Sequence, residues 1–452
     1  MPKVVIIGAG LTGLSLAYHL EKQNFFDYQI FEKDARPGGL LKSVTSNGFT
    51  FDQTGHFLHV SNKDFEHFLQ EVLGFENMNM LNRQSFIYSN NVYTAYPFQK
   101  NLFGLPEKTI IECIEGFVNR AQNIDQPQNF YEWVAKHFGL GLGKHFFFPY
   151  NQKLLNLSAK KLMPSWTGRF VPSTSLKELL EGALTRKDYC LDGYNGSFFY
   201  PKTGGIETLV QSIVQKLQTK ILTDFTATKI DTQTKTVHFA NGQSTKFDLL
   251  FSTAPLPEIL NSLTNNSGSN LSLAASKLRC NQVINFNLGL NVPKISKKHW
   301  IYFPEKKMPL YRLGFWHNFT ESMAPKEHSS CYGEVSVVTG KKTTTQITAL
   351  ENDAIKKTLN FLKIKASNVI EQKTLHLNYA YVTYDAWREK NLSKLHSQLQ
   401  SMSIYSIGRF GEWKYSSMQE AVLDGLFNAK IAIKKYKKIN IKTDLIFKQT
   451  GV

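Results

Sequence analysis

The first forty residues constrain this chain more than any other stretch. Lys3–Gly8 (KVVIIG) is a β-branched run of the kind a parallel strand needs when both faces are covered. Leu14, Leu16, Ala17 and Leu20 follow at near-helical spacing, and Tyr28–Phe31 forms a second strand that ends at Glu32. Between strand and helix lies Gly8-Ala9-Gly10-Leu11-Thr12-Gly13. The first glycine allows the tight turn, the second lets backbone approach a pyrophosphate, and the third lets helix pack on strand. The helix N-terminus adds unpaired N–H groups and a partial positive charge. Glu32 stands where an acid can accept hydrogen bonds from ribose hydroxyls. A dinucleotide-binding βαβ unit is therefore expected, and with it an α/β fold.

The remaining length must hold more than this unit. At roughly 100–200 residues per domain, 452 residues predict two or three domains. Apolar residues at 42% and charged residues at 20% exclude a disordered chain. The net charge of +17 favours an anionic partner, and no base-reading motif points to nucleic acid. Lys430, Lys434, Lys435, Lys437, Lys438, Lys442 and Lys448 crowd the C-terminus. They read as a solvated helix face, with peripheral contact to an anionic membrane surface as the other reading. No apolar run of about 18 residues exists, so no transmembrane helix is expected. The N-terminus reads as a buried strand and not as a signal peptide. Cys113, Cys190, Cys280 and Cys331 are far apart, which argues against a zinc site or disulfide framework and for a reducing, cytoplasmic compartment. Residues 63–197 read as mostly helical with few strands, 219–253 as alternating antiparallel strands with a turn at Asn241-Gly242, and 267–274 as the start of a polar boundary loop.

A second glycine motif follows Glu32 closely: Arg36-Pro37-Gly38-Gly39-Leu40. This E-x(3)-R-x-G-G pattern resembles the FAD family of amine oxidases, protoporphyrinogen oxidases and UDP-galactopyranose mutases. The match returns near the C-terminus, where Gly408-Arg409-Phe410-Gly411 leads to Ser417-x-x-Glu420, a capping-box sequence at a helix start. The resemblance implies FAD held by both ends of the chain. Its contacts would come from Gly8, Gly10, Leu11, Thr12, Gly13, Glu32, Lys33, Arg36, Gly38, Gly39, Leu40, Gly55, His56, Arg409, Met418 and Gln419. It also implies a Rossmann-like FAD-binding domain from residues 1–62, 198–265 and 397–436. A helical substrate domain (63–197), a mixed antiparallel-sheet domain (266–396) and a basic tail (437–452) would complete the chain.

Further motifs occur in a fixed order: Tyr96-Pro97-Phe98-Gln99, Pro149-Tyr150-Asn151-x-Lys153, Trp166-x-Gly168-Arg169, Trp300-Ile301-Tyr302, Tyr311-Arg312 and Trp413-x-Tyr415. Together they resemble the eukaryotic-type UDP-galactopyranose mutases. The resemblance implies a UDP-sugar substrate. Tyr96, Phe98 and Gln99 would contact uridine, and Asn195 would help hold the nucleotide. Arg312 and Arg169 would grip the diphosphate, Tyr302, Tyr381 and Tyr415 would line the groove, and Asn151 would sit beside the sugar. His56, Arg169 and Arg312 are the implied catalytic residues, with no metal. The implied reaction has no net redox change. Reduced FAD attacks the anomeric carbon through N5, UDP leaves, the sugar adduct opens and recloses as a furanose, and UDP returns. NAD(P)H is a compatible reductant. Five features depart from that pattern: Thr54 before Gly55-His56, Leu155 in place of a tryptophan, Phe319 in place of a tyrosine, Arg169 one residue out of simple register with the family arginine, and a short loop after Tyr415. Ser417–Ala421 also resembles the oxidases, so an FAD-dependent oxidase or desaturase is the alternative.

Overall fold

The computed structural model describes residues 4–186, 196–264 and 268–450. Val4–Ile7 is the centre of a five-stranded, wholly parallel sheet, paired on one side with Tyr28–Phe31 and on the other with Leu249–Ser252. Ile221–Leu222 and Ile404–Ser406 form its edges. All four residues of the central strand are buried, as a strand covered on both faces requires. The helix Leu11–Glu21 packs Leu14, Leu16, Ala17 and Leu20 into this core, each 0% exposed.

The C-terminal helix, Met418–Thr450, lies against that first helix. Ser15 Oγ donates to the Val422 carbonyl at 2.7 Å, and Gly425 leaves no room for a side chain against Ser15. The two ends of the sequence are thus one piece of structure. The chain is a mixed α/β protein, as the opening βαβ unit predicts. Of the stretch 219–253, read as antiparallel, only 227–246 forms antiparallel strands, with Gly242 at φ +82° in the Asn241-Gly242 turn. Ile221–Leu222 and Leu249–Ser252 instead join the parallel sheet, their partners set by distant strands.

The third large unit is a seven-stranded sheet. Its order is Val369–Leu377, Asn281–Leu290, Ser329–Val338, Arg312–Gly314, Trp300–Tyr302, Ser85–Ser89 and Val92–Ala95. Strand alternation gives this sheet two unlike faces. One carries Ile284, Phe286, Leu288, Ile301, Leu313, Cys331, Val335 and Val337, buried with Ala354 and Leu359 of the helix Thr344–Leu362. The other carries Asn285, Asn287, Trp300, Tyr302, Arg312, Gly314, Tyr332 and Glu334, and it faces the main core.

The structure differs from the sequence reading in two further places. The stretch 63–197 contributes the strands Met78–Asn82, Ser85–Ser89 and Val92–Ala95, the last two of which complete the mixed sheet. Met78–Asn82 pairs with Ser197–Pro201 and Ser85–Ser89 with Trp300–Tyr302, contacts too distant for a local pattern to announce. Ser85–Ser89 and Val92–Ala95, by contrast, form a local hairpin whose Asn90-Asn91 turn, both residues at positive φ, was a signal. Gly268–Ala275 is a helix and not a loop; Leu271 and Ala275 are buried under it. The basic tail continues the C-terminal helix as far as Thr450, and Lys430, Lys434, Lys435, Lys437 and Lys438 are exposed on it, in keeping with the helix face read from the sequence. Among the described residues, no helix is long and apolar enough to cross a membrane.

Candidate active site

The cofactor cradle is built from backbone. The helix Leu11–Glu21 starts at Gly10 with no side-chain cap and no acid in its first turn, so its first N–H groups are left for an anion. A Cβ on Gly13 would run into the Gly8 carbonyl oxygen. A Cβ on Gly39, which has φ +56°, would lie 3.2 Å from the Gly10 Cα. The two glycine motifs therefore touch, and Gly38 donates its N–H to the Ala9 carbonyl at 2.9 Å. Glu32 is 4% exposed. Its carboxylate accepts from the Ala9 N–H at 2.7 Å and the Asp34 N–H at 3.0 Å, which fixes the acid beside the loop. The C-terminal helix begins with the expected capping box: the Ser417 N–H donates to Glu420 and the Glu420 N–H to Ser417 Oγ. These features fit an FAD: an uncapped helix start for the pyrophosphate, glycines where its backbone must approach, and a buried acid for ribose.

Other implied cofactor residues have their own partners. Arg36 pairs with Glu207 and donates to the Ser43 carbonyl at 2.8 Å. Gln419 accepts from the Ser61 N–H at 2.8 Å. Lys33 is exposed, while Leu40, Gly55 and Met418 are half-buried and Leu11 and Thr12 are buried. Arg409 donates to the carbonyls of Ser416 and Ala380, and its Nε has no partner.

The polar face of the seven-stranded sheet lies next to this cradle. Arg312 makes a bidentate ion pair with Glu334, Nε–Oε2 2.8 Å and Nη2–Oε1 2.7 Å. Glu334 is 0% exposed, in the middle of a strand, and directly opposite Arg312 in register. Such a pair fixes a guanidinium firmly, because either partner alone would be a buried, uncompensated charge. The geometry spends two of the five N–H groups of Arg312 and, among the described residues, leaves Nη1 without a hydrogen-bond partner. Its guanidinium carbon lies 4.8 Å from the centre of the Trp300 ring.

A second guanidinium meets the same ring. Arg83 is 7% exposed, and its carbon lies 5.4 Å from the Trp300 centre and 4.4 Å from the Tyr96 centre. Nε donates to Ser85 Oγ at 2.8 Å and Nη2 to the Tyr302 hydroxyl at 3.1 Å. No carboxylate lies within ion-pair distance of Arg83 among the described residues. Sequence reasoning missed this residue. Its surroundings come from residues 83–85, 96 and 300–302, so the only signal in the chain was an arginine just before a strand that the reading did not foresee.

Three histidines border the arginines. Burial, then the charges of Arg312 and Arg409, push His56 down to about 3. Burial and Arg83 push His59 down to about 4, and burial does most of the same for His299. All three rings are therefore neutral at neutral pH. His56 can donate or accept one hydrogen bond there, and its Nδ1 has no partner.

The implied substrate residues separate into two groups. Tyr96, Tyr302, Arg312, Tyr381 and Tyr415 come together: Tyr96 and Tyr302 are 5.3 Å apart, Tyr381 and Tyr415 6.1 Å, and Arg409 lies within 5.5 Å of the latter two rings. Phe98 and Gln99 instead face the protein interior. Phe98 stacks on Phe146 at 0% exposure, and Gln99 donates to the Pro172 carbonyl at 2.6 Å. Asn151 donates back to the Phe147 carbonyl at 2.8 Å. Arg169 lies on the short turn Gly168–Phe170; its side chain falls outside the described residues, as does Asn195. Phe319 is fully buried against Trp316 and Tyr200, so it belongs to the packing beneath the groove.

The sequence profile of the flavin containing amine oxidoreductases matches residues 11–386. The chain belongs to that family. Among solved structures of this fold, the crystal structure of reduced UDP-galactopyranose mutase superposes with a TM-score of 0.87 at 28% identity, covering 96% of this chain and 94% of that one. A putative protoporphyrinogen oxidase from Exiguobacterium sp. 255-15 gives 0.72 at 16% identity over 95% and 98%, which is a likeness of fold alone. Among curated relatives, the dTDP-fucopyranose mutase of Escherichia coli is 27% identical over 173 residues, 36% of this chain and 45% of the relative. The coproporphyrinogen III oxidase of Staphylococcus aureus is 36% identical over 107 residues, 23% and 22%. The chain thus matches less than half the length of these relatives. Membership of the family makes the protein an FAD flavoprotein, and it is similar to a UDP-galactopyranose mutase and, over part of its length, to a dTDP-fucopyranose mutase.

Proposed function

We propose that this flavoprotein interconverts UDP-galactopyranose and UDP-galactofuranose, or the two ring forms of a closely related UDP-sugar. One observation carries the reading beyond the family: two buried guanidinium groups beside Trp300, of which, among the described residues, only Arg312 has a carboxylate partner. A buried cation without a counter-ion costs several kcal/mol. A diphosphate between Arg83 and the unused Nη1 of Arg312 supplies the missing negative charge, and two planar forks suit its oxygens. A polyene substrate carries no negative charge to offer these cations.

In this reading Tyr96 stacks on the base, and the hydroxyls of Tyr302, Tyr381 and Tyr415 bind phosphate or sugar. The arginines hold the leaving UDP near the sugar so that it can return. His56, being neutral, hydrogen-bonds at the flavin edge and holds no charge there. When bound and reduced, the flavin supplies the nucleophile that allows the sugar ring to open and reclose without net oxidation. The motif order shared with the eukaryotic-type enzymes supports galactose as the sugar.

Product analysis by HPLC after incubation with UDP-galactopyranose, with and without dithionite, tests the proposal. Furanose formation only with reduced flavin is expected. No furanose in either state, together with oxygen uptake on an apolar substrate, would replace the mutase by an oxidase.

A further inference from the structure

We infer that Lys153 is a positioning residue: its ammonium fills a cage of four backbone carbonyls and thereby holds Tyr302 and Arg312 in place. This inference rests on the proposed function for its consequence, but the cage itself does not.

Lys153 lies on the helix Phe148–Leu155, one turn after Tyr150 and two residues after Asn151. Its Nζ donates to the carbonyls of Phe303 (2.7 Å), Glu305 (2.6 Å), Met308 (2.8 Å) and Leu310 (3.2 Å). All four belong to the connection between the strands Trp300–Tyr302 and Arg312–Gly314. The connection therefore wraps around the ammonium as it would around a potassium ion. Phe303, Met308 and Leu310 are themselves buried, so their carbonyls have no water to turn to. Burial, partly offset by the Glu305 carboxylate, pushes the Lys153 amine down to about 7. The four carbonyls act in the same direction as Glu305, since only the ammonium has three hydrogens to share among them.

The placement matters because of what flanks the cage. Tyr302 and Arg312 are a directly opposed pair at the mouth of this connection. The Tyr150 ring, on the helix of Lys153, meets Tyr302 edge-on at 5.4 Å. One cation thus ties the helix of Tyr150 and Asn151 to the hairpin of Tyr302 and Arg312. No other residue type meets the requirement: methionine has no donor, and arginine presents a flat fork where the carbonyls converge on a point.

The test is Lys153→Ala holoenzyme, with wild type beside it, in sodium, potassium, methylammonium and tetramethylammonium chloride. Two readouts are taken: the melting temperature, and the KM and kcat for the UDP-sugar. We expect flavin to be retained and kcat/KM to fall on the order of 100-fold, mostly through KM, as for a displaced binding group. Potassium and methylammonium should raise the melting temperature of the variant, and restore KM, where sodium and tetramethylammonium do not; wild type should be indifferent. A variant that folds only in potassium or methylammonium would also support the cage. Wild-type KM in Lys153→Ala, an equal response to all four cations, or a variant unfolded in every salt would overturn it. If wild type neither binds nor converts the UDP-sugar, the proposed function fails, and the cation-specific melting shift still decides the cage.

Discussion

The seven-stranded sheet has two faces made from alternate residues of the same strands, and they differ in what they leave unfinished. Beneath the helix Thr344–Leu362, every large side chain meets another: Phe286 lies over Gly333, where any Cβ would strike its ring. On the opposite face the same strands present Asn285, Asn287, Tyr332, Glu334 and Arg312, all buried or nearly so. Some of that network is satisfied. Asn287 donates to Asn285 and accepts from the Trp316 indole at 2.9 Å, and Glu334 takes Arg312. Some is not: among the described residues, the Tyr332 hydroxyl, the Trp300 indole N–H and Asn285 Nδ2 have no hydrogen-bond partner. Burial of apolar area needs no ligand to be complete. A buried polar face with open positions fixes geometry at a cost in stability, which is the pattern expected of a site.

The comparison can be broken by single substitutions. Arg312→Ala should have the largest effect, because it strands Glu334 as a buried charge. We expect a loss of about 3–5 kcal/mol in denaturant unfolding and much weaker UDP binding. Phe286→Ala, on the apolar face, should cost about 3–5 kcal/mol in the same experiment, with UDP affinity of the folded holoprotein unchanged. If UDP affinity falls with it, the two faces are not separable.

Arg83→Ala sharpens the contrast from the other side. As Arg83 has no carboxylate partner among the described residues, removing this buried cation should not lower the stability of the UDP-free protein. UDP binding should weaken by about 1.5–3 kcal/mol, the value of hydrogen bonds to a charged group, measured by calorimetry. The smallest effect concerns pH. The folded-state value of His56 is depressed to about 3 from an ordinary value near 6.5. Its contribution to stability is therefore fully present above about 6.5 and is lost as the pH falls toward 3. Between pH 5 and 8 its NMR signal should not titrate, and the rate profile should carry no inflection that His56→Phe removes.

How much of this was legible in the sequence follows from distance along the chain. The cofactor cradle was readable because its parts are contiguous: Gly8–Gly13, Glu32, Arg36–Gly39 and Ser417–Glu420 are short motifs with mechanical reasons. Arg312 was readable from its motif neighbours. Its ion pair was not, although Glu334 in the middle of the strand SSCYGEVSVV, among otherwise small and apolar residues, was a signal. Arg83 had no such signal. It becomes important only when strand Ser85–Ser89 pairs in parallel with Trp300–Tyr302, a contact spanning more than 200 residues. Phe98 and Gln99 show the converse: a motif order suggested a base platform, and packing against Phe146 and Pro172 turned both inward in this structure.

The most direct test of the central claim, that the polar face is built around a diphosphate, is calorimetric titration of the wild-type holoprotein with UDP and with uridine. The account predicts one UDP site per chain and at least about tenfold weaker binding of uridine, since two charge-assisted contacts are lost. Equal affinity for the two ligands, or no UDP binding, would contradict it.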